Sequence, residues 1–222
     1  MLVDEVKDQN VILLHGLSRT SRSMRPMEKS LRKLGYTTHN LNYPSRKYKI
    51  EELGRFVRDE IEDKENDSSG KKLHFVTHSM GGILLRHIMK SAPFANLGRV
   101  VMLGPPNQGS EIIDRLSPFN LIPLINGPAC FQLGTSSDGF IKRLGPVEFE
   151  LGVIAGNRSI NPFLSFLIPG VDDGRVSVER TKIEGMNDFC EVPKSHSFLI
   201  GNKQVQDQTI SFLQKGKFSK KE

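Results

Sequence analysis

The run Lys72-Leu-His-Phe-Val-Thr77 leads without a spacer into His78-Ser79-Met80-Gly81-Gly82 and then into Ile83-Leu-Leu-Arg-His-Ile-Met89. An apolar strand, a corner of small residues and an apolar helix follow one another within eighteen positions. A strand that turns this tightly into a helix belongs to a crossover unit, which commits the chain to a parallel sheet covered by helices. A serine at such a corner sits on a sharp turn with its hydroxyl exposed, the way a nucleophile is presented. Gly81 lets the turn close where a side chain would collide. The helix start also aims unpaired backbone N–H groups at any negative charge that develops beside Ser79.

The rest of the first half repeats the alternation. Val11-Ile-Leu-Leu14 reads as a buried strand ending at His15-Gly16. Residues 23–34 read as a helix with Met24, Met27, Leu31 and Leu34 on one face and Gly35 as its stop. Residues 37–41 form a second strand, closed by Tyr43-Pro44. Residues 50–63 form a second helix with Leu53, Phe56, Val57 and Ile61 turned inward. Arg99-Val-Val-Met-Leu103 is another buried strand, ending at Gly104-Pro-Pro106. Residues 107–146 are rich in Pro, Gly, Ser and Asn, broken by pieces such as Leu121-Ile-Pro-Leu-Ile125. They read as a lid or pocket wall leaving the carboxyl end of a strand, or as a surface excursion over a small satellite core. Strands over 149–155 and 189–192 and a helix over 203–213 complete the pattern. The expected fold is α/β, a single domain over 1–222 with roughly six mostly parallel strands, helices on both faces and the 107–146 stretch as a lid-like insertion.

A chain of 222 residues with 37% apolar and 25% charged residues suits one packed domain. Its net charge is +6, but the basic residues are scattered, only 7% of residues are aromatic and there is no Trp. That argues against a nucleic-acid partner and for a solvated basic face, with weak contact to an anionic membrane surface kept open. Cys130 and Cys190 do not have metal-ligand spacing, so no metal site is expected; whether they pair is open. No run approaches the length of a membrane span. The first residues, Met1 to Asp8, carry acidic charge where a signal peptide is basic, so a cytoplasmic protein is expected, although an exported mature form would look the same. Oligomeric state is not legible.

A serine hydroxyl needs a base, and the base an orienting acid. Of six histidines, His39 and His74 fall on strands, His87 on a helix, and His78 precedes Ser79 with its side chain leaving the corner in another direction. His196 stands apart in a Pro-Lys-Ser-His-Ser loop before the last helix, where a general base belongs. Asp173, in Asp172-Asp173-Gly174-Arg175-Val176, lies between Ser79 and His196 as the order Ser, Asp, His demands. Asp172 is the rival, and Asp138, inside the insertion, ranks below both. The negative charge built on a carbonyl oxygen requires aimed donors, and the backbone N–H groups of Leu17 and Met80 are the candidates.

Together Val-Ile-Leu-Leu-His-Gly-Leu (11–17), Thr-His-Ser-Met-Gly-Gly (77–82), Pro-Pro-Asn-Gln-Gly-Ser (105–110), Asp-Gly-Arg-Val (173–176) and Ser-His (195–196) resemble the α/β-hydrolase superfamily, and more narrowly small bacterial lipases and esterases and the PGAP-type serine esterases. The resemblance implies a cofactor-free hydrolase acting on small-molecule or lipid carboxylic esters, with Ser79, Asp173 and His196 as triad. It implies that His15, Gly16 and Asn107 lie beside bound substrate. Two features depart from the pattern: Thr77 stands where the family has Gly, and there is no room for the antiparallel strands that usually come first. Apolar residues 116–125 and 162–168 would line an acyl pocket, contact lipid, or simply pack. An acyltransferase or thioesterase using the same triad, a non-catalytic binding relative, and C–C bond hydrolysis are the alternatives.

Overall fold

The computed structural model describes residues 9–65, 71–116, 126–136 and 138–219. Six strands form one sheet: β1 Gln9–Leu14, β2 Thr37–Leu41, β3 Lys72–His78, β4 Leu97–Leu103, β5 Leu151–Gly156 and β6 Asp188–Val192. Their order is β2-β1-β3-β4-β5-β6, and every neighbouring pair is parallel. The helices are α1 Arg25–Lys33, α2 Ile50–Glu65, α3 Met80–Ser91, α4 Glu111–Leu116, α5 Phe140–Leu144, α6 Pro162–Phe166, α7 Val178–Thr181 and α8 Lys203–Lys215.

Strand residues alternate between two cores, as a period of two requires. Ile12, Leu14, Phe75, Val100, Met102 and Val153 pack with Leu53, Val57 and Ile61 of α2 and Ile83, Leu84 and Ile88 of α3. Val11, Leu13, Val76, Val101, Leu103 and Ile154 pack with Met27 and Leu31 of α1 and Val205, Phe212 and Leu213 of α8. Both faces are therefore dry, which explains why the strands read as unbroken apolar runs.

Several expectations needed adjustment. The helix expected over 23–34 is a 3-10 turn, Ser21–Met24, followed by α1; Pro26 falls in the first turn of α1, where its missing N–H costs nothing. Phe56 points outward and is 46% exposed, because Ile50, Leu53, Val57 and Ile61 already complete the buried stripe of α2. The insertion is less irregular than its composition suggested: it holds α4, a 3-10 helix Pro128–Leu133 and α5. The apolar piece at 121–125 lies outside the described residues. Cys130 and Cys190 are not joined in a disulfide.

The chain runs from β1 outward to β2 and then returns to place β3 on the other side of β1. Loops leaving the carboxyl ends of β1 and β3 therefore diverge, opening the crevice in which sheets of this kind bind ligands. Gly16 follows β1 and Ser79 follows β3, so both sit at that crevice.

Candidate active site

Ser79 joins β3 to α3 at φ 55° and ψ −125°, one of two described non-glycine residues with positive φ. Such a backbone costs on the order of 1–3 kcal/mol and persists only when its surroundings hold it. Here the Ser79 N–H donates to the Leu103 carbonyl (2.9 Å), extending the β3–β4 ladder by one residue, and the Gly82 N–H closes the turn onto the Ser79 carbonyl (3.0 Å). The hydroxyl caps no N–H of α3 and faces a cavity of about 340 Å³. A Cβ on Gly81 would stand 2.7 Å from the Leu14 carbonyl oxygen and 2.8 Å from that of His15, so only glycine lets α3 start this close to the end of β1.

Asp173 and His196 meet behind the cavity. His196 Nδ1 donates to Asp173 Oδ2 (2.7 Å), and the Asp173 side chain is fully buried. The other carboxylate oxygen, Oδ1, accepts from the N–H groups of Arg175 and Val176, each at 2.9 Å. Because a carboxylate only accepts here, the proton sits on Nδ1 and the Nε2 lone pair is left as a base. The two residues are also tied main chain to main chain, His196 N–H to Asp173 carbonyl (2.9 Å). Asp172 turns away: Oδ1 accepts from the Gly174 N–H (2.6 Å) and Oδ2 from the Ser165 hydroxyl. Asp138 is engaged with Ser136 inside the insertion. Among the described residues the Ser79 hydroxyl makes no hydrogen bond to the His196 ring, but both line the same cavity. Such contacts are often long in free enzymes and tighten around substrate.

Leu17 lines the cavity with Gly16, and Met80 is the first residue of α3, whose N–H has no partner within the helix. The loop carrying Leu17 is held by a device that the sequence reading missed. Ser18 has φ 57°; its N–H donates to Ser45 Oγ (3.1 Å) and its hydroxyl to Asn126 Oδ1 (2.7 Å). Only the strand-end position of His15-Gly16 pointed to this loop.

Two expected substrate contacts turn out to be structural. His15 is fully buried and stacked on Tyr43, with ring centroids 4.0 Å apart. Its Nδ1 donates to the Gly16 carbonyl (2.9 Å), its Nε2 accepts from the Tyr43 N–H (3.4 Å), and the Tyr43 hydroxyl donates to the His15 carbonyl. Burial lowers the pKa of His15, so the ring stays neutral and braces the loop from beneath. Asn107 is buried outside the cavity lining. Its amide donates to the Thr181 carbonyl (2.9 Å), and its own carbonyl accepts from Arg86 (2.8 Å). Arg86 also reaches the Gly145 carbonyl (2.7 Å), and burial lowers its pKa to about 10. Asn107 therefore ties the insertion to α3 and α7.

Two residues not singled out from sequence act on the Asp173–His196 pair. His78 is buried; its pKa lies well below 6.5, through burial first and the neighbouring His196 ring second. Neutral His78 donates from Nε2 to the His196 carbonyl (3.0 Å) and holds the loop that carries the base. Gly104, at φ 54°, lies beneath the pair: a Cβ there would stand 3.1 Å from both Asp173 Oδ2 and His196 Nδ1.

Leu17, Pro106, Ile112, Ile113, Leu133, Leu164 and Val176 give the cavity an apolar part, and Ser, Asn, His and Arg side chains line the rest. Cys130 also lines it, but burial pushes the thiol up to about 11, so it stays protonated and does not compete with Ser79 as a nucleophile. Among the described residues, no three His, Cys, Asp or Glu side chains form a group that would hold a metal ion. No helix among them is long and apolar enough to cross a membrane.

An all-parallel α/β sheet with a positive-φ serine at its crevice and a buried Asp–His pair behind it defines an α/β-hydrolase. Comparison with solved structures agrees. The mature lipase BlEst2 of Bacillus licheniformis superposes with a TM-score of 0.70 at 18% identity, over 93% of this chain and 91% of that one. A metagenomic carboxyl esterase gives 0.72 at 17% identity, over 86% of this chain and 65% of that one. Phospholipase PlaB of Legionella pneumophila gives 0.66 at 20% identity, over 78% of this chain and 45% of that one. No curated protein sequence matches. The family model described as "Putative serine esterase (DUF676)" matches residues 5–136, and the chain belongs to that family.

Proposed function

We propose that this protein hydrolyses carboxylic esters through an acyl-enzyme on Ser79. His196 Nε2 takes the hydroxyl proton as Ser79 attacks the carbonyl, and Asp173 holds the ring in the required tautomer and stabilises the imidazolium. The Leu17 and Met80 N–H groups receive the oxyanion, where each donor is worth about 3–4 kcal/mol of barrier. The alcohol leaves with the proton from His196; water, deprotonated by the same ring, then releases the acid. The observation that carries this reading is the 2.7 Å contact between Asp173 and His196 beside a cavity that also exposes the serine corner.

The apolar part of the wall supports an acyl chain as the group bound, and a cavity of about 340 Å³ suits a chain of short to moderate length. Next to it, α6 turns Leu164 into the cavity wall while Phe163 and Phe166 stay 74% and 86% exposed. Exposed aromatics on a helix that also lines the cavity support esters presented by a lipid surface. A fluorophosphonate should label Ser79 in the wild-type protein and leave Ser79→Ala unlabelled, and p-nitrophenyl esters should be turned over beyond acetate. If a folded wild-type protein neither labels nor hydrolyses any ester, the proposal fails; turnover confined to acetate removes the lipid reading alone.

A further inference from the structure

Resting on the esterase reading, we propose that the Ser79 site selects acyl esters that themselves carry a negative charge, a phosphate or a carboxylate, and that Arg19 and Arg175 make the selection. Among the described residues lining the cavity these two are the only Lys, Arg, Asp or Glu. The wall that surrounds the nucleophile thus carries two positive charges, and the Asp173 carboxylate behind it is buried and already engaged by His196. The N-terminus of α3, which also faces Ser79, adds partial positive charge of its own.

Neither guanidinium is spent on a carboxylate among the described residues. Other arginines are: Arg32 pairs with Glu28, Arg58 with Glu62, Arg99 with Glu150 and Arg180 with Glu111. Arg19 instead donates from Nη2 to Ser197 Oγ (3.1 Å), next to the base His196, which places the charge at the cavity rim. Arg175 is anchored through its backbone: its N–H holds Asp173 Oδ1, and its carbonyl accepts from Ser110 Oγ (2.8 Å). Its side chain remains exposed and free to meet a ligand.

The two arginines also come from different places. Arg19 follows the loop after β1 and Arg175 the loop after β5, and these strands lie on opposite sides of β3 in the sheet. An ester bound with its carbonyl at Ser79 therefore has a cation on each flank. A guanidinium meets phosphate or carboxylate through paired N–H donors, an arrangement a neutral ester cannot use. The same field disfavours cationic esters.

The test is a ratio of kcat/KM between matched esters, one neutral and one anionic. One pair varies the acyl side: p-nitrophenyl esters of a methyl-ended chain and of a carboxylate-ended chain of equal length. The other varies the alcohol side: monoacylglycerol against lysophosphatidate of the same acyl chain, followed by fatty-acid release. The anionic member of at least one pair should be favoured on the order of 10-fold or more at low salt. The pair that responds tells a charged acyl group from a phosphate-bearing alcohol. The preference should shrink in Arg19→Gln and Arg175→Gln, vanish in the double variant, survive in part in Arg→Lys, and fall as salt rises from about 20 to about 300 mM. Each ratio is taken within one variant, so loss of folded protein cancels. Equal turnover of both members of each pair, or a preference that survives in the double variant, would overturn this proposal while leaving the esterase reading intact. Absence of all ester turnover together with no fluorophosphonate label would overturn both.

Discussion

Asp173→Asn should abolish turnover while barely touching the fold, and the hydrogen bonds around the carboxylate say why. Oδ1 accepts two backbone N–H groups, from Arg175 and Val176, whereas Oδ2 accepts one, from His196 Nδ1. An asparagine amide has one oxygen and one NH2. Placing the NH2 against the two backbone donors would leave both buried and unsatisfied, at about 1–3 kcal/mol each. The reverse orientation is therefore favoured by about 2 kcal/mol or more, roughly 30-fold. In that orientation the NH2 faces His196, whose Nδ1 must accept, so the ring proton moves to Nε2. A protonated Nε2 cannot take the proton of Ser79, and the imidazolium loses its carboxylate. The expected loss is about 10,000-fold in kcat on a p-nitrophenyl ester, with a matching loss in the rate of fluorophosphonate labelling. Stability should change by less than about 1 kcal/mol, because the three contacts around the side chain persist in number. Asp173→Ala supplies the contrast: it orphans the Arg175 and Val176 N–H groups and should cost about 2 kcal/mol or more. If Asp173→Asn keeps kcat within about tenfold of wild type, the assignment of Asp173 to the relay is wrong. Should it melt as early as Asp173→Ala, the orientation argument is wrong instead.

Two further outcomes follow from the same geometry. Gly104→Ala forces a left-handed backbone on a residue with a Cβ, costing about 1–2 kcal/mol, and wedges a methyl 3.1 Å from Asp173 Oδ2 and His196 Nδ1. Thermal unfolding should come earlier and kcat should drop by more than the lost folded fraction explains; unchanged kcat would show that the pair tolerates displacement. Stability should fall as pH drops below about 6.5, because His74, with a pKa lowered by burial to about 4, and His78, held well below its usual value by burial, stay neutral in the folded chain while the unfolded chain takes up protons. His74 alone should remove about 2 kcal/mol between pH 6.5 and pH 5, a loss that ends near pH 4 where the folded ring protonates too. Denaturant midpoints that do not move between pH 7.5 and pH 5 would contradict this.

What could be read from the sequence divides by the range of the forces involved. Strand, corner and helix around Ser79 were legible because apolar period, small residues and helix start are all local signals. The six-stranded parallel sheet followed from the same alternation repeated along the chain. Chain order pointed to Asp173 and His196, but choosing Asp173 over its neighbour Asp172 required knowing which carboxylate faces the ring. That depends on how residues 172–176 fold back, with each aspartate capping different N–H groups. Helical spacing alone misplaced Phe56: positions 53, 56 and 57 all fall near one stripe, and only packing shows that Leu53 and Val57 fill it.

Polar residues were hardest to read, since a polar side chain takes its role from partners far away in sequence. His15 and Asn107 stand where a substrate contact is expected, yet Gly16 and Tyr43 use up the hydrogen bonds of the one, and Thr181 and Arg86 those of the other. A buried donor or acceptor that already has its partner inside the protein gains nothing by turning to a ligand. The reverse applies to Arg19 and Arg175. In a chain of net charge +6 two loop arginines look like ordinary solvated surface. Only the folded chain shows that both border the cavity of Ser79 and that no carboxylate among the described residues neutralises either. Whether a polar residue braces the site or reads the substrate thus turns on whether its hydrogen bonds are already satisfied. By that criterion His15 and Asn107 are braces, and the two arginines are left to meet what binds.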